Sequence, residues 1–247
     1  GMQAAQTASK RGHRVILCEK SDKLGGALIL AGTEPYKELI RKYTAYMARM
    51  TMNSGAEVRL NTEVTPELIS EINPDRVIVA IGAQPFIPAI KGAENAVEIT
   101  NLYRNHILVN GKTVVIGGGF VGSEAAIGFA QEGHDTTIVE MAGELTPGAT
   151  EMKKMAIRLE VKTLGIHTEL GAVCMEITPN GVIIEQNGET KLVPADTVVL
   201  AVGFRPKTDE AEKLMAASAE SEYIGDCRKV AQIEQAVRAG YDAAMAL

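Results

Sequence analysis

The chain has 247 residues, of which 46% are hydrophobic and 23% charged, and it carries a formal net charge of −6 at pH 7. That length allows one large domain or two small ones with real cores, and the acidic charge argues against a surface for nucleic acids. No apolar run approaches the roughly 20 residues that a membrane span needs, and no basic-then-apolar leader is present, so we expect a cytoplasmic protein without a membrane segment.

Helices and strands are predicted to alternate along the first hundred residues. Apolar spacing and β-like runs predict helices over residues 2–10 and 35–52, and strands over residues 14–19, 58–60 and 77–81. The second helix presents an apolar face that includes Leu39, Tyr43 and Met47. Such alternation is typical of βαβ units.

The same alternation restarts near residue 112. It predicts a strand over 112–116, a helix over 123–131, a strand over 136–139, a helix over 151–164, a strand over 198–202 and a mostly helical tail over 229–247. Alternating hydrophobic residues over 177–192, with turns at Asn180-Gly181 and Asn187-Gly188, predict a hairpin layer.

These two stretches are copies of one design. Residues 1–19 superpose on residues 122–140, because both begin Gly-x-x-Ala-Ala, both contain Gly-His and both end an apolar run on glutamate. Residues 75–85 superpose on residues 196–206 at the same offset of 121. The second copy has a strand and two glycines before its first aligned glycine, so we expect the chain to be a fragment cut inside its first glycine fingerprint.

Gly117, Gly119 and Gly122 form a G-x-G-x-x-G turn between a predicted strand and a predicted helix. The first glycine permits the tight turn, the second lets the backbone approach a pyrophosphate, and the third lets the helix pack closely on the strand. The helix then begins with Phe120 and Val121, and its N-terminus presents free N–H groups to the anion. This turn is predicted to bind a nicotinamide dinucleotide.

Glu140 ends the strand that follows the turn, about 20 residues on, where an acid binds the adenosine ribose. Its carboxylate would repel a 2′-phosphate, and the adjacent Met141 and Ala142 supply no arginine to neutralise one. The site is therefore predicted to favour NADH over NADPH.

Glu19 has the same geometric position in the first copy, which predicts a second adenosine there. The following Gly25 and Gly26 could let the backbone approach that second cofactor. Asp226, after Gly225, has two interpretations: it caps the final helix, or it binds a sugar-alcohol hydroxyl of a flavin.

Catalytic and metal-binding side chains are not predicted. Cys18, Cys174 and Cys227 make no CxxC or CxxxxC pair, so neither a disulfide framework nor a redox dithiol is indicated, and we expect packed side chains. No histidine has a partner at metal-ligand spacing. This lack of catalytic side chains is compatible with hydride transfer from nicotinamide C4 to flavin N5, because that reaction needs alignment of the two rings more than an acid or a base.

The order of these motifs resembles the glutathione-reductase-like flavoproteins, which have two dinucleotide domains, the second inserted in the first. The resemblance implies an α/β fold of two Rossmann-like three-layer domains, with residues 106–205 as the NAD(P) domain and residues 1–105 and 206–247 as the FAD domain. Residues 23–26, 58–65 and 75–85 resemble more closely the C-terminal half of the 2,4-dienoyl-CoA reductase and NADH:flavin oxidoreductase (old yellow enzyme-like) family.

This family resemblance implies a set of cofactor contacts. The NAD(H) contacts would be Gly117, Gly119, Phe120, Val121, Gly122, Glu140 and Gly203. The FAD contacts would be Gly1, Glu19, Lys20, Gly25, Gly26, Val64, Gly82, Gly225 and Asp226. The resemblance also implies an N-terminal barrel domain, absent from this chain, that carries FMN and a 4Fe-4S cluster and reduces an activated alkene such as an enoate or dienoyl-CoA. The oligomeric state stays open, a homo-oligomer included.

Two other functions remain open on sequence grounds. One is a free-standing NADH oxidase or ferredoxin reductase. The other is a non-catalytic module that holds ADP or another nucleotide.

Overall fold

The structure is a computed structural model that describes all 247 residues. The elements up to residue 105 are α1 (Met2–Lys10), β1 (Ile16–Cys18), α2 (Ala27–Ala31), α3 (Glu38–Met52), β2 (Glu57–Arg59), α4 (Pro66–Ile72), β3 (Val77–Val79), β4 (Ala83–Pro85), β5 (Val97–Glu98) and α5 (Ile99–Asn105). They are followed by β6 (Thr113–Ile116), α6 (Phe120–Gln131), β7 (Thr136–Glu140), α7 (Glu151–Thr163), β8 (His167–Leu170), β9 (Ala172–Thr178), β10 (Gly181–Gln186), β11 (Glu189–Pro194), β12 (Thr197–Leu200), β13 (Phe204–Pro206), α8 (Thr208–Met215), β14 (Ser221–Tyr223) and α9 (Ile233–Met245).

Two compact units divide the chain. The first comprises residues 1–32, 37–84 and 204–247, and the second comprises residues 33–36 and 85–203. The second unit is thus inserted between segments of the first. The assignment of the first unit to FAD and of the second to NAD(H) stays a prediction.

The second unit has three layers. Its central sheet is parallel throughout, in the order β5-β12-β6-β7-β8. One face, which includes Val115 and Ile138, packs with Phe129 of α6. The other face packs on an antiparallel sheet in the order β11-β10-β9, whose Val182 and Ile184 are fully buried. Because both faces of the central sheet are covered, its strands are nearly continuous apolar runs.

Residues 85–105 pack with the second unit rather than with the first, where the sequence-based bounds placed them. Ile99 and Leu102 of α5 are buried in the same cluster as Val115 and Ala126. The inserted unit therefore begins near residue 85. The physical reason is that α5 covers one face of the parallel sheet, a contact between distant parts of the chain that leaves no local pattern.

The predicted hairpin layer is a three-stranded antiparallel sheet. Asn187 and Gly188 both have positive φ, 54° and 81°, as a two-residue turn between β10 and β11 requires. The other turn lies at residues 179–180, since Gly181 already pairs with Thr178. That turn is shifted by one residue from the prediction.

The first unit contains two parallel strand pairs, β1 with β2 and β3 with β14. Its helices α1 and α9 pack through small residues, including Ala4, Ala8 and Ala244. Gly240 of α9 lies so near α1 that an added Cβ would be 3.2 Å from the Ala4 nitrogen. A short 3₁₀ turn, Gly225–Cys227, follows β14.

The predicted repeat is visible in the backbone of the two units. Gly12 and Gly133 have nearly equal φ values, 92° and 96°, after α1 and α6. The amides of His13 and His134 donate back to the last turns of these helices, to Ala8 and Phe129, at 3.1 and 3.0 Å. Each Gly-His pair thus ends its helix directly after the C-cap residue, Arg11 or Glu132, because glycine adopts the left-handed conformation without strain.

Strand pairing differs between the two copies at one place. In the second unit β6 lies between β7 and β12 and pairs with both. In the first unit β1 corresponds to β7 and β3 corresponds to β12, and each of these two strands pairs on one side only. The backbone at Gly1 lies between them, since an added Cβ there would be 3.6 Å from Leu17 and 3.7 Å from Ala80.

Two kinds of feature are absent from the structure. No helix has the length and apolar character that crossing a bilayer requires. No three histidine, cysteine, aspartate or glutamate side chains converge as they would around a metal ion.

Candidate dinucleotide sites

The glycine turn of the second unit joins β6 to α6 under tight steric limits. The amide of Gly117 donates to the Val139 carbonyl at 2.8 Å, and Gly117 has a φ of 107°. A Cβ on Gly117 would lie 2.5 Å from the Ala201 carbonyl oxygen, and one on Gly122 would overlap the Gly117 carbonyl oxygen. Both positions therefore require glycine for packing within the protein.

Gly119 differs, because a Cβ there would meet no protein atom within 4 Å. Its φ of −66° is open to any residue, so the protein itself does not require glycine there. Gly119 is also the N-cap of α6, and no side chain caps the helix. The first helical bond is donated by Ser123 to the Gly119 carbonyl at 2.9 Å, which leaves the N–H groups of the preceding turn without a partner in the helix. An open cradle with unpaired N–H groups fits a phosphate.

Glu140 is buried beneath this turn, with 8% of its surface exposed. Its Oε2 accepts from the amide of Gly118 and its Oε1 from the amide of Ala142 at 2.7 Å. Each carboxylate oxygen can accept a further hydrogen bond. The carboxylate thus supports the turn and retains acceptor capacity for a ribose hydroxyl.

Sequence analysis missed two residues that support the same turn. The Gly118 carbonyl accepts from the Ser123 hydroxyl at 3.0 Å and from the Thr146 amide at 2.7 Å. Ser123 lies in the first turns of α6 and could have been suspected. Thr146 lies in a loop without periodic pattern, so no sequence signal pointed to it.

The remaining predicted NAD(H) residues lie around the same edge of the sheet. Phe120 and Val121 form the start of α6, and Val121 is 39% exposed. Gly203 follows β12, which is the parallel neighbour of β6. It has a φ of 97°, and its carbonyl accepts from the Phe86 amide at 2.9 Å.

In the first unit, Glu19 follows β1 directly. Its Oε1 accepts from both the amide and the hydroxyl of Ser21, each at 2.8 Å, whereas Oε2 accepts no hydrogen bond. The Thr62 amide donates to the Glu19 carbonyl at 2.9 Å and so brings the segment after β2 beside Glu19 and the exposed Lys20. Val64 continues that segment, with its side chain packed on the cluster around Ile69.

Predicted FAD-contact glycines occupy turns of the first unit. Gly26 and Gly82 have φ values of 53° and 76°, and a Cβ on either would meet nothing within 4 Å. Gly25 is packed instead, since its Cβ would lie 2.8 Å from Thr44. The open directions at Gly26 and Gly82 fit a cofactor that approaches the backbone.

Asp226 follows β14 in the 3₁₀ turn. Its Oδ1 accepts from the Ala231 amide at 3.1 Å, and the N-cap of α9 is Gln232. Asp226 therefore ties down the segment before α9 and is not the N-cap of that helix. Burial raises the pKa of its carboxyl group. Because β3 and β14 are parallel neighbours, Gly82 and Gly225 lie at the same edge of the sheet.

The three cysteines are free thiols. Cys227 is fully buried, and its Sγ lies 3.0 Å from the Ile224 carbonyl oxygen. Burial raises the pKa of the Cys18 thiol, and it raises the pKa of Cys174 to about 11. A raised pKa disfavours the reactive thiolate at Cys18 and Cys174.

Comparison with known proteins places this chain in a family. The sequence model of the family described as pyridine nucleotide-disulphide oxidoreductase matches residues 1–240. The chain belongs to this family. Pyridine nucleotide-disulphide oxidoreductases use FAD and NAD(P)H, and the α/β architecture of both units is that of their Rossmann-like domains.

Relatives of this chain are oxidoreductases by name. It is 37% identical over 254 residues to an NADH oxidase of Thermoanaerobacter brockii, with 99% of the chain and 39% of the relative covered. It is 35% identical over 251 residues to a bilirubin reductase of Mediterraneibacter gnavus (strain CC55_001C), with 100% and 39% covered. A solved 2-naphthoyl-CoA reductase complex superposes with a TM-score of 0.93 at 26% identity, with 100% of this chain and 38% of that one covered. The chain thus spans about two-fifths of the length of each.

Proposed function

We propose that the second unit binds NADH and that the first binds FAD, so that the chain forms the NADH:flavin oxidoreductase module of a longer enzyme. When bound, the two cofactors would supply the chemistry of hydride transfer from the nicotinamide to the flavin. The protein binds and orients them, and no side chain acts as acid or base.

One observation carries the proposal for NADH. Gly119 is the glycine of the turn whose Cβ direction is empty of protein atoms, at the start of a helix whose first N–H groups lack partners. A glycine that the protein's own packing does not require indicates a ligand that approaches the backbone. The proposed contacts are Gly117, Gly119, Phe120, Val121, Gly122, Glu140 and Gly203.

Support for FAD comes from the corresponding positions of the first unit. Glu19 has a free carboxylate oxygen at the end of β1, and Gly26 and Gly82 open toward space. The proposed contacts are Gly1, Glu19, Lys20, Gly25, Gly26, Val64, Gly82, Gly225 and Asp226.

For the whole protein, we propose that electrons pass onward to an N-terminal barrel domain that carries FMN and a 4Fe-4S cluster. The final acceptor would be an activated alkene. The relatives named reductases support this class of reaction, and the length of the relatives leaves room for such a domain. A second candidate is an NADH oxidase, which the name of the 37% identical relative favours.

The preference for NADH is tested at Glu140. In the Glu140→Gln variant we expect the ratio of NADPH to NADH affinity to rise by about tenfold, because a neutral side chain no longer repels a 2′-phosphate. Titration of the purified chain with each nucleotide measures both affinities. Glu132→Gln, at an exposed position beyond the C-terminal end of α6, is the matched control and should leave the ratio unchanged. An unchanged ratio in Glu140→Gln would remove the basis for NADH preference.

Flavin binding is tested at Asp226. We expect Asp226→Ala to weaken FAD binding by about tenfold, since the variant has no carboxylate to accept a hydrogen bond from a flavin hydroxyl. Asp226→Asn retains an oxygen acceptor and should lose less. Flavin absorbance and FAD titration of the full chain give the readout, with the exposed Asp209→Ala as control. Equal FAD affinity in all three variants would leave Asp226 as a residue that only ties down the segment before α9.

A further inference from the structure

Two neighbouring lysines, Lys153 and Lys154, lie in the first turn of α7, and their surroundings differ. Nζ of Lys154 lies 2.7 Å from Glu144 and 3.4 Å from Glu151, and this side chain is only 11% exposed. Nζ of Lys153 lies 5.5 Å from the centre of the Phe120 ring and has no carboxylate within bridging distance. The charge of Lys154 is therefore compensated by two acids, whereas the charge of Lys153 is not.

Phe120 fixes the place of this uncompensated charge. It is the first residue of α6 and follows Gly119, the open glycine of the turn. A cation over a phenylalanine face gains only a weak attraction at an exposed site, which positions the ammonium group without neutralising it. The contact puts a positive charge next to the side chain of the first residue of α6, and the dipole and unpaired N–H groups of that helix end favour an anion.

Nearby acidic groups do not compensate this charge. The carboxylate of Glu140 is held inside the turn by the amides of Gly118 and Ala142. Glu144 and Glu151 are bound to Lys154, and Glu151 also contacts Arg158 at 3.3 Å. A lysine without an acidic partner at such a site is suited to a phosphate group.

We propose that Lys153 binds the pyrophosphate of the dinucleotide, an inference that rests on the proposed NADH site. The ammonium group lies over the ring of the residue that follows Gly119, and the flexible lysine stem would let it reach the phosphate oxygens. Two reasons favour the pyrophosphate over a 2′-phosphate as the group bound by Lys153. Phe120 is next to Gly119, where no protein atom fills the space beside the backbone. The carboxylate of Glu140 would repel a negatively charged phosphate at the ribose.

The test uses the full chain titrated with NADH, NADPH and ADP-ribose. In Lys153→Ala we expect the affinities for all three to fall about five- to tenfold, because each carries the pyrophosphate, and the loss should shrink as salt is raised. Lys153→Arg should recover most of the affinity. The exposed Lys162→Ala, in the last turn of α7, is the matched control.

The outcomes separate this inference from the proposed function. If the unmodified chain binds NADH and ADP-ribose and Lys153→Ala binds them equally well, the role of Lys153 is overturned while the NADH site stands. A loss confined to NADPH would place Lys153 at the 2′-phosphate and also overturn the inference. No binding of any of the three by the unmodified chain would overturn the proposed NADH site itself.

Discussion

Replacing Gly119 by alanine should sharply weaken NADH binding while leaving the fold intact. The backbone at Gly119 is compatible with alanine, and the new methyl group would contact no protein atom within 4 Å. It would, however, fill the space through which the pyrophosphate approaches the backbone. We expect a loss of affinity of about 10- to 100-fold, the equivalent of an overpacking cost of about 1–3 kcal/mol. NADH titration, with thermal unfolding of the same samples, measures both properties.

Gly122→Ala is the matched contrast in the same turn. Its methyl group would overlap the Gly117 carbonyl oxygen, which belongs to the backbone and cannot move without the strand. We therefore expect this variant to lose both NADH binding and about 3 kcal/mol or more of unfolding free energy. If Gly119→Ala binds NADH normally, the open cradle does not hold the pyrophosphate, and the proposed site is wrong.

Substitutions around Glu34 are expected to lower the free energy of unfolding of the chain. Glu34 is buried at 9% exposure, and its Oε1 accepts a hydrogen bond from the Tyr103 hydroxyl at 2.5 Å. Burial, together with the adjacent carboxylate of Glu34, raises the pKa of Tyr103, which keeps the phenol protonated as the donor. Tyr103→Phe removes a donor from a buried carboxylate and should cost about 1–3 kcal/mol.

Gly128 of α6 completes this arrangement. A Cβ there would overlap Oε2 of Glu34, so Gly128→Ala should also cost about 1–3 kcal/mol. Glu34→Ala removes the carboxylate that a methyl group at position 128 would overlap. The cost of the double variant Glu34→Ala, Gly128→Ala should therefore be smaller than the sum of the two single costs. Urea unfolding measures all of these, with Tyr46→Phe, at a 47% exposed side chain, as the control. Additive costs would show that Glu34 does not set the need for glycine at 128.

The elements that the sequence predicted well are those with a local signal. The apolar runs gave β6, β7 and β12 within about two residues, which is the usual uncertainty of element ends. The repeat at an offset of 121 residues extends to short elements, since Ala83–Pro85 and Phe204–Pro206 occupy equivalent positions and are both strands. Helix α4 was missed although Thr65 and Pro66 are an N-cap and an N1 proline, a signal that was available.

Other features had no local signal. The short helix α5 and the position of residues 33–36 with the second unit depend on contacts between distant parts of the chain, such as that of Tyr103 with Glu34. The need for glycine at Gly128 likewise arises from a side chain far away in sequence. Hydrophobic periodicities of 2 residues in strands and 3.6 residues in helices indicate which face of an element is buried, but not which other element covers that face.

At the glycine turn, local sequence rules were enough to identify the three glycines, the helix that follows them and the acid at the end of β7. These follow from short-range rules, because a tight turn, a helix start and a strand end each depend on a few consecutive residues. Only the tertiary structure separated the glycines that the protein's packing requires, Gly117 and Gly122, from the one that faces open space, Gly119. It alone also brought Thr146 to the turn and Lys153 to the ring of Phe120, because loop and helix positions after β7 are set by packing across the sheet rather than by local pattern.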